Sequence, residues 1–187
     1  SQSNFVKLVI FMSLIRLGHE AYLQGQFEKS IAYYKEYLQS VTHTVEEEKP
    51  LIQADLLEKM GKSYIKLDKF SEAIKCFDES LKIKKTNLQR NDSLLILPQV
   101  YIIKIKIEMG EYENYIPALK EFVSLFENPK SESEREVLTQ TLYCIGFVNL
   151  KKAKFEKAIE FFNKGLTIIQ NESDKMAQIP FLVRLFR

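Results

Sequence analysis

Along most of this chain apolar residues recur three and four apart, the spacing that gathers them on one face of an α-helix. The periodic stretches come in pairs. Within each pair the break is three residues long: Gln24-Gly25-Gln26, Leu67-Asp68-Lys69, Met109-Gly110-Glu111 and Lys152-Ala153-Lys154. Each pair therefore predicts a helix, a tight turn and a second helix. Gly and Pro number six and five in 187 residues, too few for a loop-rich all-β chain.

The pairs are in register with one another. "GHEAYLQGQFEKSIAYY" begins at Gly18, "GKSYIKLDKFSEAIKCF" at Gly61 and "GFVNLKKAKFEKAIEFF" at Gly146. An aromatic follows each Gly by nine residues (Phe27, Phe70, Phe155), and a small residue follows the aromatic by three (Ser30, Ala73, Ala158). A second aromatic comes four further on, at Tyr34, Phe77 and Phe162. The first interval is 43 residues and the second 85, close to twice as long, so a further copy should lie near residue 103. "IKIKIEMGEYENYIPAL" fills that place, with Tyr112 in the first aromatic column. A recurring unit of this length marks a repeat architecture. One hairpin cannot bury its own apolar face, so the units must stack.

The pattern predicts an all-α chain divided into a tag or linker over 1–4, repeats over 5–44, 48–87, 92–128 and 131–171, and a final helix over 174–187. Gly inside a helix costs about 1 kcal/mol against Ala. The expected return is a close crossing, with the Gly of the first helix facing the small residue of the second and the aromatics filling the space between hairpins. The third repeat has Ile103 in the Gly column and Tyr115 in the small column. Both positions are large, so this hairpin should cross more widely. Pro117 is tolerated only in a first helical turn, which predicts a helix starting at 114–116.

The recurring columns resemble the tetratricopeptide repeat, whose Leu-Gly pair, turn aromatic, Ala and Phe are read here at Leu17-Gly18, Met60-Gly61 and Ile145-Gly146 and the columns after them. The likeness covers residues 5–171. The familiar unit is about 34 residues, so this chain resembles the longer-unit branch. The resemblance implies a right-handed α-solenoid, non-catalytic, without cofactors. It also implies that the first helices of the repeats line a concave groove holding a peptide or helix of a partner protein. The groove columns hold Ile15, Glu58, Val100 and Tyr143, then His19, Lys62, Lys104 and Phe147, then Tyr22, Ile65, Ile107 and Leu150, with Lys66, Glu108 and Lys151 on the rim. The family's Lys/Asn clamp for a terminal carboxylate is missing, since its columns hold Ile15 and His19. The asparagine ladder of the longer units is missing too, its column reading Arg16, Lys59, Tyr101 and Cys144. Lys62 and Lys104 would favour an acidic group among apolar contacts, or be solvated lysines paired with Glu58 and Glu108. Tyr143 and Phe147 would be core or anchor, and His19 a solvated groove residue.

Charge removes other classes. Net charge is +2, from 27 basic and 25 acidic residues, and 22 of the basic ones are Lys rather than the bidentate phosphate reader Arg. A nucleic-acid surface is not expected. "FVKLVIFMSLI" is too short an apolar run to span a bilayer and is expected to be the first helix. Cys76 and Cys144, and His19 and His43, show no metal spacing. Two buried thiols in a reducing, cytoplasmic setting are expected rather than a disulfide. No nucleophile elbow, phosphate loop or zinc-protease motif occurs. Residues 5–15 are apolar nearly all round, which an end helix should not be. An upstream segment or a second copy of the chain should cover them, so self-association is an alternative function. The segment after Asp174 reads as a capping helix or the start of a fifth repeat, and a longer parent is favoured.

Overall fold

The computed structural model describes residues 2–41, 50–89 and 92–170. The expected final helix over 174–187 lies outside them. Every regular element among the described residues is helical: α1 Gln2–Leu23, α2 Phe27–Val41, α3 Pro50–Lys66, α4 Phe70–Lys85, α5 Ser93–Glu108, α6 Ile116–Leu125, α7 Glu132–Lys151 and α8 Phe155–Gln170. Helix α1 reaches back to Gln2, into the segment expected to be a tag or linker. The chain forms two compact units, Ser1–Arg90 with α1 to α4 and Asn91–Arg187 with α5 to α8.

In the N-terminal unit α1 packs on α2, α3 on α4, and α2 on α3. In the C-terminal unit α7 is central and packs against α5, α6 and α8.

All four hairpins turn in the same way. Gly25, Asp68, Gly110 and Ala153 occupy one column and have left-handed φ values of 73°, 56°, 95° and 55°. The next residue's N–H donates back across the helix end: Gln26 to Ala21 O at 2.8 Å, Lys69 to Tyr64 O at 2.9 Å, Glu111 to Lys106 O at 2.9 Å, Lys154 to Asn149 O at 2.9 Å. The left-handed residues themselves donate to Tyr22, Ile65, Ile107 and Leu150. This is the Schellman ending, which satisfies carbonyls the helix leaves open. It explains a break of three residues and survives in the third repeat, where other columns are lost.

The repeated Gly has a different partner from the one expected. A Cβ on Gly61 would lie 2.8 Å from Phe77 Cε2 and Cζ; on Gly146 it would lie 2.6 Å from Phe162 Cε1; on Gly18 it would overlap the Tyr34 ring. Thus each Gly accommodates the second aromatic of its own hairpin. Ser30, Ala73 and Ala158 are buried as small residues. The third repeat exchanges volumes in the same pair of columns: Ile103 replaces Gly, and buried Leu119 replaces the aromatic. Its hairpin is wider, as expected. Both α5 and α6 pack on α7, but they approach each other less closely than the helices of the other hairpins.

Helix α6 begins at Ile116 after a single 3₁₀ turn over Glu113–Tyr115, with Pro117 in its first turn. The start expected from Pro117 is the start observed. A second proline, Pro98, sits inside α5 and leaves the carbonyl of Leu94 without a helical donor. Helix α5 is opened by Asp92, whose side chain accepts from Leu94 N at 2.8 Å. Helix α7 is opened by Ser131, which accepts from Glu134 N at 3.1 Å.

Candidate functional site

The groove columns do not form one kind of surface. On α1, Ile15 and Tyr22 are half-buried and His19 is exposed. Tyr22 sits edge-on to Phe27 with centroids 5.5 Å apart, so part of it belongs to the hairpin. On α3, Lys62 is half-buried and Lys66 exposed. On α5, Glu108 is half-buried, and on α7 Lys151 is exposed while Tyr143 and Phe147 are half-buried.

Five of the expected groove residues are interior. Ile65, Val100 and Ile107 are buried. Glu58 is also buried and faces α4, where it accepts from Lys84 Nζ at 2.6 Å and from Ser80 Oγ at 2.7 Å. Lys84 is only 1% exposed and also lies 3.4 Å from Asp55 Oδ1. The strongest contact of Glu58 is therefore a buried ion pair across the hairpin, not an i,i+4 pair with Lys62. Burial pushes the Glu58 carboxyl above its ordinary value, and Lys84 and Ser80 pull it back. Neither Lys84 nor Ser80 was singled out from sequence. The available signal was a lysine in the second helix with Ser80 one turn before it, both inside the apolar stripe.

Lys104 is the fifth. It is 2% exposed, donates to Gln140 Oε1 at 3.0 Å, and stands 4.7 Å from the centroid of the Tyr143 ring and 5.8 Å from that of Tyr101. It is neither a solvated lysine nor a reachable groove charge. It joins α5 to α7 through a hydrogen bond and ring faces. Tyr143 also lies 5.9 Å from Phe162, so it is largely core. Phe147, one turn on, stacks on Tyr143 at 6.1 Å and 22°, with Lys151 Nζ 5.1 Å from its centroid. An aromatic side chain and a lysine thus share the accessible side of α7.

Among the described residues no group of His, Cys, Asp and Glu could hold a metal ion, and no helix is long and apolar enough to cross a membrane. Cys76 and Cys144 are free and buried, as expected. Burial raises their thiols to about 11 and about 12, well away from a reactive thiolate at neutral pH.

Two family models, each described as a tetratricopeptide repeat, match the sequence, one over residues 54–87 and the other over 13–40 and 139–172. The chain belongs to the tetratricopeptide repeat family. The matches fall on the first, second and fourth hairpins. The third tetratricopeptide hairpin, unmatched, is the one that exchanged its Gly and aromatic for Ile103 and Leu119. No curated protein matches the chain. Tetratricopeptide repeats are generally protein–protein interaction modules and are typically non-catalytic.

Proposed function

We propose that this tetratricopeptide protein is an adaptor or scaffold module that holds a peptide or helix of a partner protein against the accessible side of its first-position helices. The observation that carries this reading is the α7 surface. Phe147 is half-exposed, backed by Tyr143 and flanked by Lys151. A rigid aromatic with a cation beside it is a common binding hot spot. In the N-terminal unit the corresponding accessible side chains are His19 and Tyr22 on α1 and Lys62 and Lys66 on α3. The buried free thiols agree with a cytoplasmic, reducing location. The reading needs no cofactor, nucleic acid or membrane.

Peptides selected from a random display library against the whole chain provide the test. Phe147→Ala with Lys151→Glu should weaken the selected peptides about tenfold or more. Lys75→Glu, exposed on α4, is the control. Peptides that bind the α7 variant and the parent alike would overturn the assignment.

A second reading has its own observation. Val6, Val9, Ile10 and Met12 on α1 are all exposed, Met12 by 64%. Four apolar side chains on one exposed helix favour association through α1, as an oligomerisation or structural segment. Light scattering across a concentration series should show self-association that Val9→Glu with Met12→Glu abolishes. A parent chain that stays monomeric at high concentration counts against it.

A further inference from the structure

A different surface of the C-terminal unit has the shape and charge of a binding site. The third repeat keeps only ten residues of helix in α6, because Pro117 delays its start. In its second aromatic column it carries Leu119 instead of a ring. Between α6, α7 and α8 the shortfall leaves an open cleft of about 490 Å³. Its walls are mainly apolar: Ile116, Leu119 and Val123 from α6, Ile145 and Val148 from α7, and Phe161 from α8, with Asn149 of α7 beside them.

The rim is made of lysines. Lys120 comes from α6, Lys152 from the end of α7, Lys154 from the following turn and Lys157 from α8, and no acidic side chain lines the cleft. Four like charges from separate segments around an apolar floor repel one another, and an anionic occupant would relieve that repulsion. The rim already binds one carboxylate: Glu113 Oε1 lies 2.7 Å from Lys152 Nζ, and Lys152 stands 5.7 Å from the centroid of the Tyr112 ring. The volume falls in the range of sites that take small ligands or bulky side chains. The cleft is lined mainly by second-position helices, so it is separate from the Phe147 surface proposed above.

We propose that this cleft is a second docking site, which takes an acidic segment of a partner protein carrying bulky apolar anchors. The anchors enter between Leu119, Val148 and Phe161, and the flanking carboxylates pair with Lys120, Lys154 and Lys157. Both halves of the recognition are needed. Lys152 already has Glu113, but apolar contact alone would leave Lys120, Lys154 and Lys157 without a carboxylate inside the cleft, and charge alone would leave the floor wet.

Three fluorescein-labelled synthetic peptides test it by polarisation against the whole chain. One carries Leu and Phe flanked by Asp and Glu; in the second Lys replaces the acids; in the third Ser replaces Leu and Phe. Binding is expected for the first alone, weakened by added salt. Lys154→Glu with Lys157→Glu should reduce it about tenfold or more. Lys151→Glu with Phe147→Ala should leave it unchanged, which separates this site from the one on α7. The two lysines are exposed, and circular dichroism checks that the variant folds. Three results overturn the proposal: no binding of the first peptide, equal binding of the Ser peptide, or binding lost only with the α7 variant. Phosphatidylserine vesicles form a further arm. Lysine-dependent vesicle binding without peptide binding would assign the cleft to an anionic lipid surface instead.

Discussion

Gly61→Ala, in the middle of α3, sets two magnitudes against each other. In an exposed helix the change should stabilise by about 1 kcal/mol, because Ala is the better helix former. Here the new methyl would stand 2.8 Å from two carbons of the Phe77 ring and 3.1 Å from a third. Carbon pairs prefer about 3.5–4.0 Å, so ring or helix must retreat by roughly 1 Å. Phe77 is 0% exposed and the interior around it is close-packed, leaving the ring nowhere to go without moving its neighbours. Overpacking of this kind costs about 1–3 kcal/mol. The net expectation is a loss of about 1 kcal/mol, some 2 kcal/mol away from the propensity value.

The third repeat supplies the second half of this cycle, since it carries a larger residue at the Gly column and a smaller one at the ring column. Phe77→Leu alone should destabilise by leaving a partial cavity. Combined with Gly61→Ala, it should destabilise by less than the sum, with a coupling of about 1 kcal/mol. Repeat proteins need not unfold in one step, so urea unfolding by far-ultraviolet circular dichroism should be paired with hydrogen exchange on α3 and α4. A Gly61→Ala variant more stable than the parent, or strictly additive effects in the double variant, would refute the reasoning.

Ala153→Gly should stabilise the fourth hairpin by about 0.5–1 kcal/mol, because Ala153 holds a left-handed φ of 55° that Gly adopts without penalty; a loss of thermal stability would contradict it. Ser30 Oγ and Tyr34 Oη are buried with no partner beyond each other, so Ser30→Ala with Tyr34→Phe, the residues of the sister repeats, should leave the urea midpoint unchanged or raise it by up to about 1 kcal/mol equivalent. Lys84→Met should cost about 3–5 kcal/mol by leaving Glu58 buried and unpaired, and adding Glu58→Leu should recover most of it. The Glu58 carboxyl is raised in the folded state, so the fold binds its proton more tightly than the unfolded chain does. Relative to Glu58→Gln, the parent should therefore gain stability as pH falls from neutrality towards the ordinary value of 4.5, and a relative loss over that window would exclude the effect. Cys76 and Cys144 should resist iodoacetamide at pH 8 in the folded chain and react only after unfolding.

The repeat was legible because its columns are constrained by backbone geometry. A left-handed residue must follow each first helix, and a Gly or a compensating exchange must accompany each ring. Such constraints act locally or within one hairpin, so spacing alone exposes them. The delayed start of α6 was legible for the same reason, since Pro117 restricts its own φ whatever surrounds it. The partner of the Gly was misread because a helical face holds several residues within reach of it. Only the packed ring shows which one approaches.

The candidate surface was less legible because a column names a direction along a helix, not an exposure. Glu58 shares its column with Ile15 and Tyr143, and Lys104 shares its column with His19 and Phe147, and their charge suggested water. Whether a charged side chain is buried depends on whether a neighbouring helix offers a partner. For Glu58 that partner is Lys84, 26 residues on, and for Lys104 it is Gln140 with Tyr143, 36 and 39 residues on. No periodicity encodes such pairings. The cleft between α6, α7 and α8 follows the same logic in reverse. Lys120, Lys152, Lys154 and Lys157 read singly as solvated lysines. They acquire a common meaning only when the shortened α6 brings an apolar floor between them. The irregular third repeat thus shapes the surface most distinctive of this chain, where the regular repeats shape its frame.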